Sequence, residues 1–161
     1  MRRPRFIAAQ SSHPTGWLGW LIGSLMVHET AVANDAVLAL LALRDDDRVL
    51  DVGCGPGRTV ERAARGRSRG RVAGVDVSRA MLRLAERRCR DLVDAGVVEL
   101  RRADAEALPY ADGSFDKVLS VHTLYFWPRP ERVAHEMHRV LAPGGRVAIG
   151  FRSRDDARFV A

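Results

Sequence analysis

Apolar positions along the chain change their spacing several times, and each change marks an element. Val32, Ala36, Val37, Leu40, Leu41 and Leu43 recur at near-helical intervals, predicting a helix over 31–43 that stops at the acidic turn Asp45, Asp46, Asp47. Arg48 to Val52 is a short apolar run of strand type, Gly53 to Gly57 is a glycine-rich loop, and Arg58 to Ala64 restarts a helix. A second strand is predicted at 71–76, RVAGVD, followed by Ser78 as N-cap and a helix whose Met81, Ala85, Cys89 and Leu92 fall on one stripe. Gly96 ends that helix as a C′ residue does. Further strands are predicted at 97–102, 115–121 and 146–151. A helix over 131–141 precedes the last of these, with Pro130 in its first turn and Pro143, Gly144 and Gly145 after it.

Strands thus alternate with helices, and no two strands are joined by a hairpin turn. That order predicts right-handed βαβ units and a doubly wound α/β domain, its parallel sheet covered by helices on both faces. Ligands of such sheets bind beyond the carboxyl ends of the strands. The domain is expected over 30–161, with 1–29 as an N-terminal helical flap.

Composition narrows the picture in three ways. At 161 residues and 47% hydrophobic content the chain suits one core and excludes disordered and collagen-like classes. Its net charge of +6 rests on arginine, since Lys117 is the only lysine among 26 basic residues. The arginines are spread among acids along the whole length, a solvated surface, so no nucleic-acid partner is expected; the densest run, 62–71, reads as a helix end and loop. Cys54 and Cys89 lack histidines at metal-ligand spacing, so no metal site and a reducing, cytoplasmic setting are expected. Arg2 and Arg3 are followed by no apolar core of signal-peptide type, and the apolar run Trp17 to Val27 is shorter than the ~18 residues a membrane span requires. No transmembrane segment is expected; that run is read as a flap over a pocket.

The strand ends carry the candidate chemistry. VLDVGCGPGRT, 49–59, is a buried strand with an acid at its tip, glycines at 53, 55 and 57, and a helix start. Glycine permits a tight turn and close approach of a ligand, and the free N–H groups at a helix start favour an anion. Asp76 ends the second strand nineteen residues after Gly57, where an acid accepts hydrogen bonds from ribose hydroxyls. Loop and acid together point to a nucleoside-containing cofactor. A dinucleotide loop reads G-x-G-x-x-G, whereas this one reads G-x-G-x-G. Asp51 facing the loop would repel a pyrophosphate but attract the ammonium and sulfonium of S-adenosylmethionine. An NAD(P)-dependent oxidoreductase is the weaker reading on both counts.

With these motifs the chain resembles the class I S-adenosylmethionine-dependent methyltransferases, in particular their small-molecule, ubiquinone-type branch. VLDVGCGPGRT resembles the first motif, GVDVSRAML at 74–82 the second, ADAEALPYADGSFDKVLS at 103–120 the third motif and fourth strand, and HRVLAPGGRVAIG at 138–150 the approach to the fifth strand. The resemblance implies a Rossmann-like sheet of order 3-2-1-4-5. It implies Asp51, Gly53, Gly55 and Gly57 around the methionine end, Asp76 on the ribose, Val77 against the adenine, Asp104 at the adenine amino group and Ala105 at its ring edge. Each acid also has an ordinary structural alternative: Asp51 as a turn cap, Asp76 as a polar strand end, Asp104 as an Asx-turn residue before Pro109.

The implied reaction is SN2 methyl transfer to a small lipophilic or aromatic acceptor. His122 is the candidate base; His28, Glu29 and Tyr125 rank below it. Cys54 reads as a small filler, and His135 and His138 as surface residues. Relative to the family, the last two sheet strands are missing, which leaves the fifth strand as an edge open to self-association. For that reason a noncatalytic cofactor-binding or interaction domain is the alternative reading.

Overall fold

The computed structural model describes residues 31–65 and 69–151. The expected flap with Trp17 to Val27, His28 and Glu29, the middle of the arginine run at 66–68, and the C-terminal Phe159, Val160 and Ala161 lie outside the described residues.

Five strands form one parallel sheet: β1 (Arg48–Val52), β2 (Arg71–Asp76), β3 (Val98–Arg102), β4 (Phe115–Val121) and β5 (Leu141–Gly150), in the order β3-β2-β1-β4-β5. This is the doubly wound order implied by the motifs. Helices α1 (Ala31–Leu41), α2 (Arg58–Ala64), α3 (Arg79–Arg88), α4 (Arg90–Asp94) and α5 (Pro130–Val140) join and cover the strands.

Strand alternation divides the core into two layers. Val49, Val72, Val98 and Leu119 pack with Val37 and Leu41 of α1, Val60 and Ala63 of α2, and Leu82 of α3. Leu50, Val52, Ala73, Val75 and Val118 form a second cluster with Val133, Met137 and Val140 of α5. Parallel strands covered on both faces are buried along their length, as β1 and β4 mostly are, although Asp51 in β1 and Asp116, Lys117 and Ser120 in β4 interrupt their apolar runs.

Several boundaries differ from the sequence expectation, each for a local reason. In α1 the buried stripe runs through Asn34, Val37 and Leu41, whereas Val32 and Leu40 are 82% and 74% exposed. Helical spacing predicts the helix but not its buried face, and the sheet selects a stripe that includes an amide. The helix after β2 breaks at Cys89, which caps α3 and starts α4. Ser78 is its N-cap as expected, accepting from Met81 N, and Gly96 has φ +70°. Pro143, Gly144 and Gly145 lie within β5, where a register shift takes up the turn between the pairs Phe115–Leu141 and Lys117–Arg146. Among the described residues β5 is the outermost strand beside β4, and Val147 and Ile149 on it and Phe151 just after it are exposed.

One arginine fastens the loop between β3 and β4 to α5. Arg139 near the end of α5 binds both carboxylate oxygens of Glu136 at 2.7 and 2.8 Å, Asp112 at 2.8 Å, and the carbonyls of Tyr110 and Leu108 at 2.8 and 3.1 Å. Glu136 in turn accepts from Leu108 N at 2.8 Å. The guanidinium beside Glu136 and Asp112 holds the Glu136 carboxyl below its usual range. A planar fork makes these contacts together, which an ammonium cannot do. Arg139→Lys is therefore expected to lower unfolding free energy by about 1.5–3 kcal/mol, measured by urea denaturation.

Candidate functional site

At the carboxyl ends of the strands, β1 runs into a loop that turns three times through the left-handed region, with φ of +77° at Gly53, +53° at Gly55 and +79° at Gly57. Glycine alone adopts this series without strain. The loop is clamped to β2: Gly53 N and Cys54 N both donate to Val75 O, at 2.8 and 2.9 Å, and Gly55 N donates to Asp76 Oδ2 at 2.9 Å. Asp76 Oδ1 accepts from Ser78 N at 2.7 Å. Both carboxylate oxygens are thus oriented by backbone donors. A carboxylate has about four acceptor positions, so ribose hydroxyls add to these bonds without replacing them.

A cavity of about 370 Å³ opens above these strand ends. Its wall brings together Asp51, Gly53, Gly55, Asp76, Val77, Asp104, Ala105 and His122, all expected from the sequence. Gly57 is not part of that wall. A Cβ at Gly57 would lie 2.7 Å from Ala85 Cβ, so this glycine lets α2 and α3 approach. At Gly53 a Cβ would meet Thr123 Cγ2 at 2.4 Å, whereas at Gly55 it would project into open space. Gly53 is thus needed for packing against the turn after β4, and Gly55 keeps its own side of the loop open to a ligand.

Charge in the cavity is largely acidic. Asp51 is 3% exposed, and burial followed by repulsion from Asp76 pushes its carboxyl up to about 7. Burial and the same two acids push the Cys54 thiol up, so it stays protonated and acts as filler, as expected. Asp104 is exposed, and its Oδ1 accepts from Glu106 N at 3.0 Å in an Asx turn. Asp104 thus turns the chain, and the residue borders the cavity.

His122 follows β4 with φ +60°, an unusual value for a side-chain-bearing residue, held by its N–H to Gly150 O at 2.7 Å. Its Nδ1 lies 3.4 Å from the Tyr125 hydroxyl, with the two rings stacked. Ser120 Oγ bonds Val52 O at 2.6 Å and also Thr123 Oγ1, which ties this turn to the tip of β1. His135 and His138 lie on the exposed face of α5, as expected.

Sequence reasoning missed part of the wall. Asn34 of α1, Arg58 and Thr59 at the start of α2, and Glu106, Phe126 and Trp127 also line the cavity. The only signals were a polar residue within an apolar helical stripe and an aromatic run after β4.

The methyltransferase domain family, as a sequence profile, matches residues 50–149, most of the described chain and all of the strand ends above. The chain belongs to the S-adenosylmethionine-dependent methyltransferases. Within this methyltransferase family, the chain is 38% identical over 123 residues to 27-O-demethylrifamycin SV methyltransferase of Amycolatopsis mediterranei, covering 75% of this chain and 44% of that protein. It is similar in structure to geranyl diphosphate C-methyltransferase of Streptomyces coelicolor in complex with S-adenosyl-L-homocysteine, with TM-score 0.66 and 27% identity over 75% of this chain and 45% of that one. It is similar as well to the [4+2]-cyclase SpnF, with TM-score 0.66 and 33% identity over 72% of this chain and 42% of that one. The methyltransferase chain thus spans less than half the length of each of these three. No helix among its described residues is long and apolar enough to cross a membrane.

The raised Asp51 carboxyl has a consequence for stability. Its folded pKa of about 7 exceeds the unfolded value of about 3.9, so between these values the folded state binds the extra proton. Stability from this group is full below about pH 4 and is lost as pH rises through about 7. Asp51→Asn is expected to be more stable than wild type at pH 8 and to lack this part of the pH slope, as checked by urea unfolding at pH 5.5 and 8.

Proposed function

We propose that the cavity binds S-adenosylmethionine and that the chain supports methyl transfer to a small lipophilic or aromatic acceptor. The observation that carries this is the buried acid Asp51 beside an open Gly55 and the backbone-oriented Asp76, a cradle suited to a cationic nucleoside. When bound, S-adenosylmethionine supplies an electrophilic methyl group that an acceptor oxygen, nitrogen or carbon displaces in line.

The chain's own residues bind, orient and exclude water. Asp76 accepts from the ribose hydroxyls. Asp51, ionised by a nearby cation, holds the methionine end, while Gly53 and Gly55 let the backbone approach it. Val77 packs against the adenine, Asp104 and Ala105 border its edge, and Gly57 sets the helix spacing behind the loop. Placement in attack geometry lowers the barrier by several kcal/mol, and a base is needed only for an acceptor that loses its proton early. His122 is the base we propose for such an acceptor, its backbone fixed by Gly150 and its ring by Tyr125. Phe126 and Trp127 form the apolar side of the cavity, which supports a lipophilic acceptor. The relative named for a demethylrifamycin supports a small-molecule acceptor.

A second reading is a domain that binds the cofactor without transferring its methyl group. The structural likeness to the [4+2]-cyclase SpnF favours this reading. The exposed apolar edge of β5 supports self-association, and two buried free thiols support a reducing, cytoplasmic setting.

Calorimetry with S-adenosylmethionine tests the binding reading. Affinity is expected to rise with pH through about 7 as Asp51 ionises, and Asp76→Ala is expected to weaken it by about 10- to 150-fold. An unchanged affinity in that variant rejects Asp76 as the ribose ligand. Methyl release to a panel of lipophilic acceptors then separates the enzyme from the noncatalytic domain. Sedimentation of the chain is expected to show a dimer that Ile149→Lys dissociates.

A further inference from the structure

Where β4 meets the tip of β1, three groups are joined by hydrogen bonds whose direction is fixed. Ser120 is fully buried, and its hydroxyl donates to Val52 O at 2.6 Å, since a carbonyl only accepts. Ser120 Oγ is also bonded to Thr123 Oγ1. A serine hydroxyl has a single proton, and here that proton is on Val52 O. Thr123 is therefore the donor of the second bond, and its own proton is committed to Ser120. Only lone pairs remain at Thr123 Oγ1.

Thr123 lines the cavity. Its methyl group lies against Gly53, where a Cβ would come within 2.4 Å of Thr123 Cγ2, and this contact and the bond to Ser120 together hold its rotamer. The strand order reverses between β1 and β4, so with the methionine end over the β1 loop the group to be transferred lies at that junction. Thr123 borders it. The acids of the wall are Asp51, Asp76, Asp104 and Glu106, the last with a side chain 9% exposed and paired with Arg129. Thr123 differs from them in being neutral and yet unable to donate.

Resting on the cofactor reading above, we propose that Thr123 Oγ1 orients the methyl acceptor. The site then takes an acceptor that arrives with its proton, an alcohol, phenol or amine, and not a carbon nucleophile. Held by that proton at Thr123, the oxygen or nitrogen turns a lone pair toward the methyl group. As its bond to the methyl carbon forms, the carbon–sulfur bond breaks, the sulfonium becomes a neutral thioether, and the proton passes afterwards to His122 or solvent. Ser120 is a positioning residue: it turns a hydroxyl that could donate or accept into one that only accepts.

Calorimetric titration of the full chain tests this without an identified acceptor. Three ligands differ at the transfer position: S-adenosylhomocysteine carries nothing there, sinefungin an ammonium donor, and S-adenosylhomocysteine sulfoxide an oxygen acceptor. Relative to S-adenosylhomocysteine, wild type is expected to bind sinefungin about tenfold or more tighter and the sulfoxide about tenfold weaker. Thr123→Val is expected to lower the sinefungin preference by about tenfold, and Thr123→Ser, which restores the hydroxyl, to stay within about threefold of wild type. In Ser120→Ala the Thr123 proton is free to meet the sulfoxide, whose deficit is expected to shrink to about threefold or less. Ratios of ligands on one variant remove any common loss of folded protein. An unchanged sinefungin preference in Thr123→Val, an equal loss in Thr123→Ser, or an unchanged sulfoxide deficit in Ser120→Ala overturns the proposal and leaves the cofactor reading intact. Methyl transfer to carbon in the acceptor panel overturns it as well. Failure of wild type to bind any of the three ligands rejects the cofactor reading itself, and the proposal with it.

Discussion

The site depends on one clamp, the hydrogen bonds that fasten the glycine loop after β1 to the end of β2. Val75 O takes two loop N–H groups and Asp76 takes a third, so the loop that shapes the cavity and the acid that faces it are parts of one hydrogen-bonded unit. The parallel register between β1 and β2 sets the distance across which these bonds form. Left-handed glycines make the geometry affordable: with a Cβ at Gly53 the loop would collide with Thr123, and with one at Gly57 it would collide with α3.

Around that clamp, packing and polarity divide the work. The two apolar clusters hold the sheet from both faces. Polar contacts concentrate at the strand tips and in the loop that Arg139 and Glu136 fasten down. This arrangement lets the cavity carry acids that a core would not tolerate. Asp51 illustrates the tension: it is buried at a strand tip, its charge opposed by both desolvation and Asp76. A cation in the cavity relieves both costs, so the same placement that weakens the ligand-free protein at high pH favours a positively charged ligand.

The acidic side of the cavity and its aromatic side belong to different segments. Asp51 and Asp76 come from β1 and β2, whereas His122, Phe126 and Trp127 come from the chain after β4. Ser120 and Thr123 join the two sides through Val52 O and the close approach at Gly53. Variation in the aromatic segment can therefore alter what is accepted without disturbing the clamp. That accords with a chain similar both to a protein named 27-O-demethylrifamycin SV methyltransferase and to one named a [4+2]-cyclase.

Much of this was legible in the chain itself. Alternating strand and helix patterns, three glycines at G-x-G-x-G spacing, and acids at positions 51, 76 and 104 follow from local rules: backbone sterics, capping and side-chain period act within a few residues and leave a mark in the sequence. What the tertiary structure alone decided were matters of direction and neighbourhood. Helical spacing predicted α1 but not its buried face, which the sheet set along the stripe with Asn34, because which face of a helix is buried depends on what it meets. Gly57 reads like its companions in the motif but serves helix packing. Glu106 looks like any surface acid beside Asp104, and only folding turns one outward and buries the other, since burial is a property of the assembled chain and has no period along it.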